Sequence, residues 1–165
     1  MAMRFGNFIW PLLLVALLAG CVSAPQPVRE VKGIAVWDME DLSPMGDGYP
    51  DLGGLLSARV IETLKEKSAY DVVERERLSL VLEEQNLGSS ELADESTRLR
   101  LGRLVGAQLM IFGGYQVIGG QMRLDIRLVE VETGKILRAS EKTVSAGDLA
   151  AWLNAAAEAA AELEQ

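Results

Sequence analysis

The sequence contains no histidine and only one cysteine, Cys21, among its 165 residues. An internal disulfide is therefore excluded, and the residue types that most often serve as general bases, nucleophiles and transition-metal ligands are missing or nearly so. Catalysis would have to rest on carboxylates, lysine, serine or tyrosine. These absences predict that the protein is not an enzyme and that it holds neither a cofactor nor a metal.

Positive charge is also scarce, because 16 lysines and arginines stand against 24 aspartates and glutamates and the net charge is −8. An acidic surface repels phosphate backbones, so the composition argues against a nucleic-acid partner. It argues equally against a polybasic patch that would hold the protein on anionic lipids. Attachment to a membrane would have to come from another feature of the chain.

The sequence also lacks a hydrophobic run long enough to span a membrane, and the stretch that comes nearest to one is close to the amino terminus. Arg4 precedes an uncharged stretch at residues 8–19, which is shorter than the roughly 20 apolar residues of a membrane-spanning helix. A basic start followed by a short apolar stretch is typical of a secretion signal. We therefore expect residues 1–20 to be a signal peptide that is removed.

The residues before the cysteine indicate where cleavage occurs. They are small, and the motif resembles the lipobox of bacterial lipoproteins: Leu18, Ala19, Gly20 and Cys21. The resemblance implies that the Cys21 sulfur carries diacylglycerol, with palmitate among the acyl chains. Each buried methylene contributes about 0.8 kcal/mol, so two or more chains form a lasting anchor that does not cross the membrane.

Residues 21–32 have the composition of a flexible tether, since they contain Pro25 and Pro27 and show no apolar periodicity. Val22 and Ser23 follow the cysteine where an inner-membrane retention signal would carry aspartate. By resemblance to the sorting rules of Gram-negative bacteria, we expect attachment to the periplasmic face of the outer membrane.

The remaining residues, 33–165, are expected to form one domain that opens with a buried strand at Gly33–Met39. A loop rich in acidic residues and glycine follows at Glu40–Asp51. Apolar residues then recur every fourth position, which predicts a helix with one apolar face. They are Leu52, Leu56, Val60 and Leu64, with Leu55 and Ile61 beside them.

A short second strand and two helices come next. The strand is predicted at Tyr70–Val73, and helical periodicity runs from Arg75 to Gln85 until Gly88 stops it. Asp94 is suited to cap the following helix, which ends at a glycine. The residues expected to face inward from that helix are Leu101, Leu104 and Val105.

The last third predicts a three-stranded meander. Residues 109–118 form an apolar strand, and Gly119–Gly120 is a typical two-residue hairpin turn. Residues 122–128 alternate between apolar and charged, which predicts one buried face. A change of apolar phase at Val129 and Val131 indicates a β-bulge before the last strand, 136–144.

Asp148 is expected to start a final helix. Its apolar side is predicted to comprise Leu149, Trp152, Leu153, Ala156, Ala160 and Leu163. The order of the elements predicts a single-domain α/β sandwich, in which helices pack on a mixed sheet.

Acidic residues after the first strand are the best candidates for a ligand site, because open sheets often bind ligands at the carboxyl ends of their strands. Asp38, Glu40 and Asp41 lie there, and Asp47 and Asp51 could add oxygens for a hard cation. The spacing fits no calcium loop, since a leucine occupies the third ligand position. We interpret these acids as a solvated loop and assign no catalytic or metal-binding residue.

Other conspicuous residues have a structural interpretation. Gly53–Gly54 could offer amides to an anion, but no phosphate-binding motif surrounds them. Gly113–Gly114 inside a strand indicate a bulge or a close helix contact. Trp37 is expected in the core, and Glu83–Glu84 are expected on a solvated helix face.

Four segments, in order, resemble the curli-secretion lipoprotein (CsgG) family. Residues 34–43 match its opening strand and acidic exit, and residues 70–88 match its strand-to-helix junction. Residues 101–113 match a helix, a Gly-Ala turn and a strand, and residues 128–136 match a hairpin. The same domain type is similar to LpoB, an activator of a peptidoglycan synthase, to the flagellar outer-membrane lipoprotein FlgO, and to the amino-terminal domain of TolB.

The resemblance implies a non-enzymatic assembly or interaction module in surface export, such as curli assembly, or in envelope biogenesis. Pore-forming members carry two long hairpin insertions that build a membrane barrel, whereas the strands predicted here are all used by the soluble sheet. We therefore expect an outer-membrane-anchored periplasmic domain without its own transmembrane barrel. Its expected contacts are the membrane, through lipid on Cys21, and an envelope or secretion protein.

Three alternatives remain open. An LpoB-like activator of a peptidoglycan synthase has to reach across the periplasm, and a flexible tether with an end-to-end distance of about 18 Å is short for that. A FlgO-like structural ring component would be a homo-oligomer. A carboxylate-based hydrolase would use Asp38 and Glu40.

Overall fold

A computed structural model describes residues 32–44, 51–67, 70–85 and 94–164. These residues belong to one unit of the chain, Val31–Gln165. The predicted signal peptide, the lipobox and nearly all of the predicted tether lie outside the described residues.

Ten elements make up the described part of the chain. They are β1 (Lys32–Val36), β2 (Glu40–Asp41), α1 (Leu52–Lys67), β3 (Tyr70–Val72), α2 (Arg75–Gln85), α3 (Glu95–Leu104), β4 (Leu109–Ile118), β5 (Gln121–Glu130), β6 (Ile136–Ser145) and α4 (Leu149–Glu162). The predicted order is confirmed except for β2, a two-residue strand that lies within the stretch predicted to be a loop.

The strands form one mixed sheet in the order β3–β1–β4–β5–β6, and β2 also pairs with β4. β1 is parallel to β3 and β4, whereas β4, β5 and β6 are antiparallel neighbours. Val36 pairs with Ile111 and Glu40 pairs with Gly114, so β1 and β2 lie along successive parts of the same neighbour. They are two halves of one strand, interrupted at residues 37–39.

Helices cover both faces of this sheet. α1 and α4 pack on the first face, where the fourth-residue pattern of α1 is fully buried. α2 and α3 pack on the second face, where Leu78 and Leu101 join Met110 and Phe112 in a separate apolar cluster. The predicted α/β sandwich with a mixed sheet is confirmed.

Two glycines form the turn between β4 and β5. Gly119 and Gly120 have φ values of 60° and 78°, the left-handed conformation that a two-residue hairpin turn requires. The register between β5 and β6 shifts between Leu128 and Val129, and Leu137 is the extra residue in β6. The predicted bulge is confirmed. The apolar character of Val129 has another cause, because it is buried in the cluster under α2 and α3.

Three leucines do not lie where the apolar patterns place them. Leu104 is 53% exposed, Leu55 is 46% exposed and Leu149 is 40% exposed. Leu101 of α3 and Val105 just after its end are one helical turn apart, and both face the sheet. Leu104 lies on a neighbouring side of the helix. Leu55 lies in the first turn of α1 and Leu149 begins α4, and both lie on the outer side of their helices.

Polar contacts tie α4 to the edge strand β6. The Ser140 hydroxyl donates to the Glu162 carboxylate at 2.6 Å, and the Lys142 ammonium donates to the other oxygen of the same group. These hydrogen bonds lower the pKa of Glu162, and the bond to Glu162 raises the pKa of Lys142. The edge strand is thereby connected to the helix that covers it.

The break between β1 and β2 depends on one buried hydroxyl in α1. The Ser57 hydroxyl accepts a hydrogen bond from the Met39 N–H at 2.9 Å and donates to the Gly53 carbonyl oxygen at 2.8 Å. Gly53 approaches the break so closely that a Cβ atom there would lie 2.2 Å from the Met39 carbonyl oxygen. Glycine at residue 53 is therefore explained by packing, and the two halves of the strand are locked to the start of α1.

We predict that Ser57→Ala destabilises the protein by about 1–3 kcal/mol, because the buried Met39 N–H loses its partner. The measurement is the free energy of unfolding by chemical denaturation. The control is Ser145→Ala, an exposed serine whose loss is expected to change that free energy by less than about 0.5 kcal/mol. Equal effects of the two substitutions would contradict the role given to Ser57.

Candidate functional site

Among the residues that the structure describes, α2 and α3 cover only part of the second face of the sheet. Beyond α2 and α3, three rows of residues cross from β4 through β5 to β6 on this side of the sheet. We call these residues the open face. The rows are Phe112–Arg127–Ala139, Gly114–Asp125–Glu141 and Gln116–Arg123–Thr143.

A groove of about 310 Å³ lies on the open face. Small residues contribute to its floor: Ala139 lies opposite Arg127, and Gly114 lies opposite Asp125 with Leu42 over it. Leu42, which is 57% exposed, also lines it. A depression with both apolar and charged walls is the usual form of a binding site.

Arg98 of α3 forms one wall of the groove. Its side chain is only 12% exposed and forms an ion pair with Glu40 of β2. The guanidinium also lies over the Trp37 ring, 5.5 Å from its centroid. Trp37 is half-buried and packs against the apolar cluster under α2 and α3, so the expected core tryptophan belongs to the core only in part.

Arg127 of β5 repeats this arrangement in the groove. Its guanidinium lies 5.9 Å from the centroid of the Phe112 ring and donates to the Glu95 carboxylate at 2.7 Å. A planar guanidinium on an aromatic ring is restricted in orientation, and less freedom remains to be lost when it binds another group. Arg127 is 40% exposed, so a second molecule can reach it.

The rest of the open face carries charges in pairs. Arg123 binds both oxygens of Asp125 at 2.9 Å and also donates to Glu141 at 2.9 Å. The hydrogen bonds and charge of Asp125 raise the pKa of Arg123. The open face therefore presents positively charged hydrogen-bond donors and negatively charged acceptors at fixed positions.

The acids that the sequence identifies as candidates separate in the structure. Glu40 lines the groove, where it is paired with Arg98. Asp41 accepts a hydrogen bond from the Ser43 N–H at 2.8 Å, and Asp38 and Asp51 are exposed. Among the residues that the structure describes, no three carboxylates come together as a metal site would require.

Asp47 lies outside the described residues.

Gly113 and Gly114 make a close contact, as expected, but the neighbour is the β1–β2 segment instead of a helix. A Cβ atom at Gly113 would lie 2.6 Å from the Met39 sulfur, and one at Gly114 would lie 2.8 Å from Leu42. The β4–β5 register runs through both glycines without a bulge. Glu83–Glu84 are exposed, as predicted.

Sequence reasoning missed the two arginines that line the groove. The alternation of apolar and charged residues along β5 predicts that Arg127 faces solvent. It does not indicate that the side chain lies over Phe112 of the neighbouring strand. Arg98 follows Glu95 by one helical turn, which predicts a surface pair within α3. In the structure each residue instead bonds to a strand: Arg98 to Glu40, and Glu95 to Arg127.

None of the helices in the described ranges has the length and apolar character needed to cross a bilayer.

Comparisons with known proteins give a family and a fold. The model of the family described as curli production assembly/transport component CsgG matches residues 16–118, which is more than half of the chain. No curated protein matches the sequence.

Solved structures share the fold at low sequence identity. The LpoB C-terminal domain from Salmonella enterica is similar with a TM-score of 0.59 and 20% identity, over 82% of this chain and 93% of that one. PelC from Paraburkholderia phytofirmans, solved as a dodecamer, has a TM-score of 0.57 and 15% identity, over 86% and 93%. Lipoprotein GNA1162 from Neisseria meningitidis has a TM-score of 0.51 and 18% identity, over 71% and 82%. Identities this low show the fold alone.

We predict that the two glycines under the groove respond differently to alanine. Gly113→Ala should destabilise the protein by about 1–3 kcal/mol, because the new methyl group meets the Asp125 backbone oxygen and the Met39 sulfur. Gly114→Ala should cost less than about 1 kcal/mol, because the end of the Leu42 side chain can move. Thermal unfolding of both variants tests this, and a larger loss at Gly114 would contradict the described packing.

Proposed function

This chain belongs to the CsgG family, and from that premise we propose that it is an outer-membrane lipoprotein, anchored by lipid on Cys21, whose domain lies in the periplasm. There it acts as a non-enzymatic assembly or interaction module in surface export or envelope biogenesis. The main observation in support of this proposal is the open face with its groove, because it offers a contact surface on a sheet that the described helices cover elsewhere.

The charges of the groove favour binding over catalysis. Glu40 and Arg98 neutralise each other, and Arg127 is paired with Glu95. A catalytic carboxylate has to reach the substrate, whereas these two carboxylates are engaged by arginines. Paired charges beside an apolar floor are common in protein–protein contacts, where they select partners by electrostatic complementarity.

The anchor is supported by the amino-terminal residues. A basic start, a short apolar stretch and a lipobox-like motif occur together before the only thiol in the sequence. GNA1162, which has a similar fold, is itself described as a lipoprotein. Acyl chains on Cys21 would place the domain within reach of envelope proteins.

Two alternatives have a specific observation in their favour. The fold is shared with LpoB, so activation of a peptidoglycan synthase is the first. The fold is also shared with PelC, which forms a dodecamer, so a structural ring component like FlgO is the second. Deletion of the gene separates the first alternative from the main proposal: reduced peptidoglycan crosslinking would favour the activator, and loss of an export product with normal crosslinking would favour the export role. Sedimentation of the domain without its lipid tests the second, because a monomer at high concentration would count against a ring.

We predict that Cys21→Ser removes the lipid and the membrane attachment. Cells are grown with an alkyne-labelled palmitate, and the protein is followed by labelling, mass spectrometry and separation of the two membranes. The wild type should be labelled and found in the outer membrane, whereas Cys21→Ser should be unlabelled and uncleaved. Val22→Asp keeps the cysteine and should move labelled protein to the inner membrane. An unmodified wild-type Cys21 would refute the anchor.

We predict that the open face contacts another envelope protein. A photo-crosslinking amino acid at Thr143, an exposed position of the open face, should give an adduct in living cells. The same amino acid at Glu132, in the exposed turn after β5, should not. Arg127→Glu should reduce the Thr143 adduct at least tenfold, the loss expected for a central arginine of an interface. Arg100→Glu, an exposed change on α3, should leave it unchanged.

A Thr143 adduct that is missing, or insensitive to Arg127→Glu, would count against the open face as the contact surface.

A further inference from the structure

The outer side of α1 and α4 carries an apolar groove that the proposed partner contact does not use. It lies on the opposite side of the sheet from the open face and has a volume of about 730 Å³. Its apolar lining consists of Leu55, Ala58, Ile61 and Leu153. Leu149 is one turn before Leu153 on α4 and is 40% exposed.

The groove brings an exposed leucine, Leu55, together with the half-buried Ile61 and Leu153 on the solvent side of helices whose inner sides are already buried. Leu55 is 46% exposed although its neighbour Leu56 is fully buried. Exposed apolar groups that lie together, with charges around them, mark surfaces that contact another molecule. Ala58 leaves room in the middle of the groove for an approaching helix.

The charges around this groove match those of a second copy of the same chain, and within one copy Arg59 pairs with Glu62 and Lys65 pairs with Glu74. α1 presents Arg59, Glu62, Lys65 and Glu66 along the groove, so positive and negative charges alternate and the rim has no net charge. A partner with one dominant sign would gain nothing from such a rim. A second α1 helix that runs antiparallel across a two-fold axis would place Arg59 opposite Glu62 of the other copy, and Glu62 opposite Arg59.

We propose that the outer face of α1 and α4 is a contact surface between two copies of this chain, related by a two-fold axis that passes between Arg59 and Glu62 of α1. In this arrangement the α1 helix of each copy lies in the groove between α1 and α4 of the other. The proposal is independent of the envelope partner, because it uses the opposite side of the sheet.

The contact is expected to be weak. α1 has 16 residues and is therefore about 24 Å long, and a face of this length and two helices wide is at the small end of specific interfaces. Dimers should dissociate on dilution. Arg59 and Glu62 also bond to each other within one helix, so a single substitution changes that pair too.

The decisive experiment therefore mixes two variants. The full chain is purified in a density-matched detergent, and its mass is measured by sedimentation equilibrium over rising concentration. Wild type should show a monomer–dimer equilibrium. Arg59→Glu alone and Glu62→Arg alone should each weaken association at least tenfold, because like charges then oppose each other twice across the axis.

An equal mixture of Arg59→Glu and Glu62→Arg should restore association to near the wild-type strength, since each variant then faces the opposite charge. Loss of the pair within α1 cannot produce this recovery. Arg77→Glu, an exposed change on α2, serves as control and should have no effect, and circular dichroism verifies that each variant is folded. A mixture that stays as weak as its components, a wild type that is monomeric throughout, or larger assemblies insensitive to these substitutions would overturn the proposal.

Discussion

The hydrogen bond between Ser57 and the interrupted strand determines where the site can form. Between Val36 and Glu40 the chain contains one residue more than the facing part of β4, from Ile111 to Gly114. This extra residue leaves the Met39 N–H without a strand partner, and the buried hydroxyl of Ser57 accepts its hydrogen bond instead. Because the break is stabilised in this way, the chain can return to β4 at Glu40. The Glu40 side chain then meets Arg98, and Leu42 lies over Gly114.

Local patterns explain why much of the fold could be predicted from the sequence. The fourth-residue spacing of α1 and the two glycines of the hairpin turn each act within a few residues, and the structure has both where the patterns place them. β2 could not be predicted in this way. It exists only because residues 40–41 meet β4, and in the sequence these two residues are indistinguishable from the acidic loop around them. The exposure of Leu104 likewise depends on how α3 lies on the sheet, which periodicity within α3 does not determine.

The candidate site was less predictable because its contacts join distant segments. The sequence shows Glu40 as an acid after a strand, but its place in the site comes from its ion pair with an arginine of α3. The alternation in residues 122–128 predicts only that Arg127 faces outward, and its position over Phe112 depends on the β4–β5 register. Trp37 shows the same limit: the apolar run predicts a core position, whereas the ring is only partly buried against the cluster under α2 and α3 and has a guanidinium over it. In each case the chemistry comes from a pair, and only one member is visible in a local pattern.

The two faces of the sheet can serve different contacts without interfering with each other. Phe112 and Arg127 point to the side of α3, whereas the groove at Leu55 and Leu153 lies on the side of α1 and α4. A two-fold pair formed through α1 would therefore leave both open faces on the outside, directed away from the contact between the copies. Such a pair would have two binding surfaces, and its overall affinity for a repetitive partner would be higher than that of a single copy. The reason is that binding of the first surface raises the local concentration of the second, even when each single contact is weak. Lipid anchors would restrict both copies to one membrane surface and would favour the pair for the same reason. A small interface between copies would thus be sufficient for two copies anchored to one membrane, although the same interface would be marginal for a protein free in solution.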